Sequence, residues 1–143
     1  MADESFDVIV VGAGPGGYVA AIRAAQLGKT TAVVEVDKAG GRCLNYACIP
    51  AKTMLHTAEV FDHAKNSEHI GVKVQGAELD WGALGERRSE VSASLSGGVK
   101  GLFDKNKIEF IEGEGSLNAD GDVVVGDTVY KAGKVILATG SVA

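Results

Sequence analysis

The sequence predicts an α/β fold of three layers built on a mostly parallel sheet, and three observations carry that expectation. Two β-branched runs, at residues 6–11 and 31–35, enclose a glycine-rich turn and one stretch with helical patterning. Two longer stretches with helical spacing follow, within residues about 48–104. The chain then returns to short strand-like runs, with turn pairs at Asp120-Gly121 and Gly126-Asp127 inside a meander over about 113–131. Strand, helix and strand in close succession is the pattern of parallel pairing, whereas short runs joined by tight turns pair antiparallel.

Composition bounds the reading. At 143 residues the chain suits one domain with a real core, and 45% hydrophobic content excludes general disorder. A net charge of -5, a pI near 5.1 and the lack of a basic stripe argue against nucleic acid as a partner. The acidic start, Met1 to Ser5, and the short run behind it fit neither a signal peptide nor a membrane span, so the expectation is a cytoplasmic protein with no membrane association. Its 20 glycines are about twice average usage. They cluster where backbone must approach something closely, with no internal repeat or low-complexity segment.

Residues 6–11, Phe-Asp-Val-Ile-Val-Val, read as a buried strand ended by glycine. The glycines that follow, Gly12, Gly14 and Gly17, have the spacing of the dinucleotide-binding fingerprint. In that device the first makes a tight turn, the second lets backbone reach a pyrophosphate, and the third packs helix on strand. Alone the pattern is weak. Here a helix over 18–27 follows, with Ala20, Ala21, Ala24 and Ala25 as its small-residue face and Gly28 as its stop. A strand over 31–35 then ends in Glu35, where the ribose hydroxyls of an adenosine would lie. The spacing does not separate FAD from NAD, because both present adenosine and pyrophosphate to the same device.

From Thr53 to Lys65 the residues Met54, Leu55, Ala58, Phe61 and Ala64 recur at helical spacing, and packing is their expected role. His56 and His63 read as surface residues of this helix. After a break at 71–76, a second helix is expected from a cap at Asp80 to about Asp104, with Leu84, Val91, Leu95, Val99 and Leu102 as its apolar stripe. A third buried strand is expected at 108–112, the meander next, and a separate core strand at 134–138.

Both cysteines, Cys43 and Cys48, fall in the run Gly40-Gly41-Arg42-Cys43-Leu44-Asn45-Tyr46-Ala47-Cys48-Ile49-Pro50-Ala51-Lys52. Five residues of regular helix climb about 7.5 Å, more than the roughly 6.8 Å a disulfide tolerates between Cα atoms. A bridge therefore needs a distorted turn. Gly40 and Gly41 permit one, and Pro50 suits the first turn of a helix starting near Cys48. The helix N-terminus and Lys52, one turn on, would both favour a Cys48 thiolate. A working redox pair is the leading reading. A structural staple would gain only about 2 kcal/mol from so short a loop. A metal site would need about four ligands, and His56, His63 and His69 show no ligand spacing.

The same run closely resembles the active-site segment of dihydrolipoamide dehydrogenases, flavoproteins of the pyridine nucleotide-disulfide oxidoreductase class. Asp80-Trp81, Gly97-Gly98-Val99 and Leu102-Phe103 resemble that family at matching places, so the similarity covers nearly the whole chain. The resemblance implies a three-layer FAD/NAD(P)-binding Rossmann-like domain with an antiparallel β-meander, residues 1–143 being the first segment of the FAD-binding domain. It implies FAD as the bound cofactor and NAD+ as co-substrate. Cys43 would be the exchange thiol facing dihydrolipoamide, Cys48 the thiol against the flavin, and Lys52 a neighbour of flavin N5. Further cofactor contacts are implied at Gly12, Gly14, Gly17, Glu35, Lys38, Gly41, Arg42, Gly115, Ala138, Thr139, Gly140 and Ser141. The family usually has Thr, Val, Gly and Ser where this chain has Arg42, Tyr46, Ala47 and Ala51. Arg42 thus brings a cation to a place where the family offers the FAD pyrophosphate a hydroxyl.

By the same resemblance the partners would be lipoyl domains of 2-oxo acid dehydrogenase complexes, and the intact enzyme would be a homodimer. The NAD and dimer-interface domains of the family are not found in these 143 residues, so the chain by itself is expected to be inactive. A relative of glutathione or mercuric reductase is the alternative within the class, but Cys-Leu-Asn and Cys-Ile-Pro favour lipoamide over the Val-containing forms of those enzymes. A non-catalytic nucleotide-binding module is the alternative outside it.

Overall fold

A computed structural model describes residues 5–141. Strand β1 (Ser5–Val11) leads into helix α1 (Pro15–Gln26), and β2 (Thr31–Glu35) into α2 (Gly41–Asn45). Two long helices, α3 (Cys48–Asn66) and α4 (Trp81–Lys105), are joined through a 3-10 turn at Ser67–Ile70. Strands β3 (Glu109–Glu112), β4 (Gly115–Leu117), β5 (Val123–Val125) and β6 (Thr128–Leu137) complete the fold. They form one six-stranded sheet in the order β3-β2-β1-β6-β5-β4. The pairs β3–β2, β2–β1 and β1–β6 are parallel, while β6–β5 and β5–β4 are antiparallel.

Period-2 alternation along β1 and β2 sends side chains to two separate cores. Val10 and Val33 meet α1 and α4 through Ala21, Val99 and Phe103. Ile9, Val11, Ala32 and Val34 point the other way and pack on Val123 of β5. The layers are therefore helices, parallel sheet and meander, as the sequence predicts. At the outer end of β1 the Asp7 carboxylate accepts the Thr30 amide at 2.9 Å and the Thr30 hydroxyl at 3.2 Å, with Lys29 4.0 Å away. These contacts, the amide first, hold the Asp7 carboxyl below its ordinary range.

Three expectations need correction. The meander does not end before a separate strand at 134–138. β6 is one continuous strand whose first part pairs with β5 and whose remainder pairs with β1, from Ser5 opposite Lys131 to Val11 opposite Leu137. Gly133 in its middle permits the close approach of the two strands: a Cβ there would lie 2.9 Å from the Asp7 carbonyl oxygen.

Of the apolar residues of α3 expected to pack, only Phe61 and Ala64 are half-buried, while Met54, Leu55 and Ala58 are exposed. No residue of α3 is buried, and Leu55 is 67% exposed. The helix lies against α4 rather than on the sheet, with its half-buried side at Thr53, Thr57, Phe61 and Ala64.

On α4 only Val99 and Phe103 are buried, while Leu95 and Leu102 are more than 40% exposed. Only the C-terminal part of this helix reaches the sheet core: of the expected stripe Val99 is buried and Leu84 and Val91 are half-buried, and Ser92, Ser96 and Phe103 complete the inner side. Its start is as expected, the Asp80 carboxylate accepting the Ala83 amide at 2.9 Å.

Candidate cofactor and redox site

The ends of β1, β2 and β6 meet at one glycine turn. Gly12 donates its amide to the Val34 carbonyl at 2.8 Å, and Ala138 donates to the Val11 carbonyl at 2.8 Å. Gly12 has φ +103, and a Cβ on it would strike the Ala138 carbonyl oxygen. A Cβ on Gly17 would strike the Gly12 carbonyl in turn, so the first turn of α1 rests on the β1 turn with no room for a side chain. Gly14 differs, because nothing of the protein lies within 4 Å of a Cβ placed there. It opens onto a cleft of about 600 Å³ lined by Gly12, Gly14, Pro15, Gly16, Glu35, Val36, Asp37, Gly41, Arg42, Cys43, Tyr46 and residues 138–141.

The cleft's chemistry follows from its walls. Helix α1 begins at Pro15 with Gly14 as N-cap and no side-chain cap, which leaves the Gly16 and Gly17 amides without intrahelical partners. Those donors, the helix dipole and the Arg42 side chain make one end of the cleft suited to an anion. Glu35 stands opposite. Its carboxylate accepts the Ala13 amide at 2.7 Å and the Asp37 amide at 3.0 Å, so it is fixed as a hydrogen-bond acceptor beside the turn. A smaller hollow of about 190 Å³ shares Gly12, Glu35, Val36 and Thr139 with the cleft and adds Gly115.

Cys43 and Cys48 form a disulfide with Cα atoms 4.7 Å apart. The distortion that regular helix would not allow is supplied by Tyr46 and Ala47. Their amides both donate to the Arg42 carbonyl at 2.9 Å, ending α2 before α3 starts at Cys48. Asn45 locks the turn, its Nδ2 donating to the carbonyls of Ala39 at 3.1 Å and Gly41 at 2.9 Å. Gly41 has φ +56, and a Cβ on it would lie 2.6 Å from the Gly14 Cα, so the disulfide segment lies directly on the glycine turn. Pro50 falls in the first turn of α3, as expected.

Of the residues expected to contact a cofactor, the cleft gathers Gly12, Gly14, Glu35, Gly41, Arg42, Ala138, Thr139, Gly140 and Ser141. Gly115 lies in the adjoining hollow, and Gly17 serves the helix packing just described. Lys38 lies in a neighbouring cavity, and Lys52 and Cys48 are exposed outside the cleft lining. The sequence reading did not single out Asp37, or Tyr46 as a wall. The Tyr46 hydroxyl donates to Asp37 Oδ2 at 2.7 Å, which holds the phenol above its ordinary pKa.

A family profile described as "Pyridine nucleotide-disulphide oxidoreductase" matches residues 6–143. The chain belongs to this family. It is 45% identical over 142 residues to a dihydrolipoyl dehydrogenase of Chlamydia muridarum, an alignment covering 97% of this chain and 30% of that protein. A mitochondrial dihydrolipoyl dehydrogenase of Pisum sativum is 42% identical over 146 residues, covering 97% and 29%. A leghemoglobin reductase of Vigna unguiculata is likewise 42% identical, covering 97% and 28%. The chain thus spans less than a third of the length of these relatives. The Cys43–Cys48 bridge and the glycine turn both lie within the matched residues.

Proposed function

We propose that this chain is the FAD-holding, disulfide-bearing portion of a dihydrolipoyl dehydrogenase. The observation that carries the reading is Cys43 in the wall of the same cleft that presents the α1 N-terminus, Arg42 and Glu35. Bound FAD would supply the two-electron chemistry that links the disulfide to NAD+. The residues present fit such a dinucleotide. The Gly16 and Gly17 amides and Arg42 would hold its pyrophosphate, and Glu35 would accept from ribose hydroxyls. Gly14 leaves open the space a side chain would fill.

The two sulfurs are not equivalent. Cys48 is the first residue of the 19-residue helix α3, where partial positive charge stabilises a thiolate. It is therefore the better leaving group when an incoming dithiol attacks the Cys43 sulfur. In that step a thiolate of dihydrolipoamide bonds to Cys43 Sγ and Cys48 leaves as thiolate. The second substrate thiol then closes the lipoamide ring, freeing Cys43 as the second thiol. Dihydrolipoamide is oxidised by two electrons and the protein disulfide reduced by two. The substrate would be presented by lipoyl domains of 2-oxo acid dehydrogenase complexes, to an enzyme acting as a homodimer.

The test has two readouts. FAD fluorescence should be quenched saturably on addition of the chain, and Gly14→Val should abolish the quenching while the protein stays folded. Dihydrolipoamide should convert the bridge into two alkylatable thiols. In single variants, the Cys48 thiol of Cys43→Ser should alkylate at lower pH than the Cys43 thiol of Cys48→Ser. Absence of saturable quenching by the folded chain would overturn the cofactor assignment, and the reverse order of thiol reactivity would exchange the roles of the cysteines.

A further inference from the structure

A second cavity of about 600 Å³ shares Tyr46 as a wall with the cofactor cleft and lies between the α2–α3 turn and α4. Its lining includes three cations, Lys38, Arg88 and Lys100, and no carboxylate, in a chain whose net charge is -5. Arg88 has no ion pair among the described residues, although its neighbour Arg87 pairs with Glu90 at 3.7 Å. Lys38 has none either, and its ammonium lies 5.6 Å from the centre of the Tyr46 ring. Lys100 is shared with Glu112 at 3.4 Å.

Most of the uncharged donors of this wall are already used. Ser96 Oγ donates to the Ala39 carbonyl at 2.7 Å, and Ser89 Oγ to the Gly85 carbonyl at 3.0 Å. Asn45 and Tyr46 are committed to the contacts described above. Ser92 is different. Its hydroxyl oxygen is sealed from solvent and has no hydrogen-bond partner. A serine within a helix ordinarily donates to the carbonyl four residues back, as Ser89 does, and a buried hydroxyl left unpaired is costly.

We infer that this cavity binds a small phosphate-bearing anion. Arg88 would take it through its forked guanidinium, Lys38 and Lys100 would flank it, and Ser92 would turn its free hydroxyl to it. Guanidinium, ammonium and hydroxyl donors in a lining that holds no carboxylate are the donor set of a phosphate oxygen cluster, and Lys100 alone is shared with one, Glu112 outside the lining. These donors offer nothing to a cation. Lys38, which the resemblance assigned to the dinucleotide, lines this second cavity.

The site is separable from the cleft by position. Inorganic pyrophosphate titrated into the isotope-labelled chain, with and without excess FAD, should shift the amides of Ser89, Ser92 and Ser96 saturably in both series. Arg88→Gln should weaken that binding about tenfold, the loss expected for one charge-assisted bidentate contact. Ser92→Ala should weaken it too, while leaving the free chain at least as stable, because it removes an unpaired buried hydroxyl. Amide shifts confined to residues 12–17 would place the anion in the cofactor cleft only and overturn the inference. An affinity for Arg88→Gln within about twofold of the parent chain would overturn it as well. Failure of FAD to bind would leave this result readable, since the responding amides identify the site.

Discussion

The Glu35 carboxylate accepts the Ala13 amide at 2.7 Å, tying the end of β2 to the turn that follows β1. Ala13 is fully buried, so this amide has no recourse to water. Glu35→Ala would orphan it and free the Asp37 amide as well. The expected cost is about 1–3 kcal/mol of stability, read from urea unfolding. FAD affinity should fall further than stability does. A loss below about 0.5 kcal/mol, the range of ordinary surface changes, would show that the turn does not depend on this carboxylate.

Two glycines two residues apart should respond very unequally to the same substitution. Gly12→Ala places a Cβ at φ +103 against the Ala138 carbonyl, combining backbone strain with a clash. It should cost about 3 kcal/mol or more, or prevent folding. Gly14→Ala adds its methyl to open space from an extended N-cap conformation, φ -72 and ψ -178, and should cost about 1 kcal/mol or less. Its penalty should appear in FAD binding. Equal stability of the two variants by thermal unfolding would contradict the packing of the turn.

These contrasts show what the sequence could reveal. The β1 turn, the span of β2, the Asp80 cap and the Cys43–Cys48 segment were legible because each is set by residues close in sequence. The exposed faces of α3 and α4 were not, since periodicity tells which residues share a side but not what covers it. The continuity of β6 through Ala132 and Gly133 depends on pairing with β1, more than a hundred residues earlier. At the site, Gly12, Gly14 and Glu35 announce themselves by spacing. The Tyr46–Asp37 contact could not, because it exists only once α2 folds back beside the end of β2.

Asp7 offers a test of that strand end by pH. Its carboxyl is lowered chiefly by the Thr30 amide and then by the Thr30 hydroxyl, against an opposing effect of burial and with a smaller contribution from Lys29. A carboxyl lower in the folded than in the unfolded chain adds stability that is present above the unfolded value, about 3.9, and fades as pH falls through the folded value. Asp7→Asn should therefore melt below the parent chain at pH near neutrality, and the gap should close in strong acid. A gap independent of pH would mean that the contact matters by shape and not by charge.

Tyr46 titrates in the opposite sense. The hydrogen bond it donates to Asp37 raises its pKa, with desolvation and the Asp37 charge adding and Lys38 opposing. A phenol raised in the folded state contributes fully below the ordinary tyrosine value, about 10, and loses that contribution as pH climbs through the folded value. The stability change should be small, because the side chain is 55% exposed. The titration itself is the sharper measure. Phenolate absorbance of the parent chain minus that of Tyr46→Phe isolates this residue from Tyr18 and Tyr130. Its midpoint should lie above that of an ordinary tyrosine and move down in Asp37→Asn, where the acceptor's charge is gone. Saturating FAD should change the midpoint again, since Tyr46 lines the cleft. A midpoint unmoved by Asp37→Asn would mean that the two side chains are apart in solution and that this wall of the cleft is open.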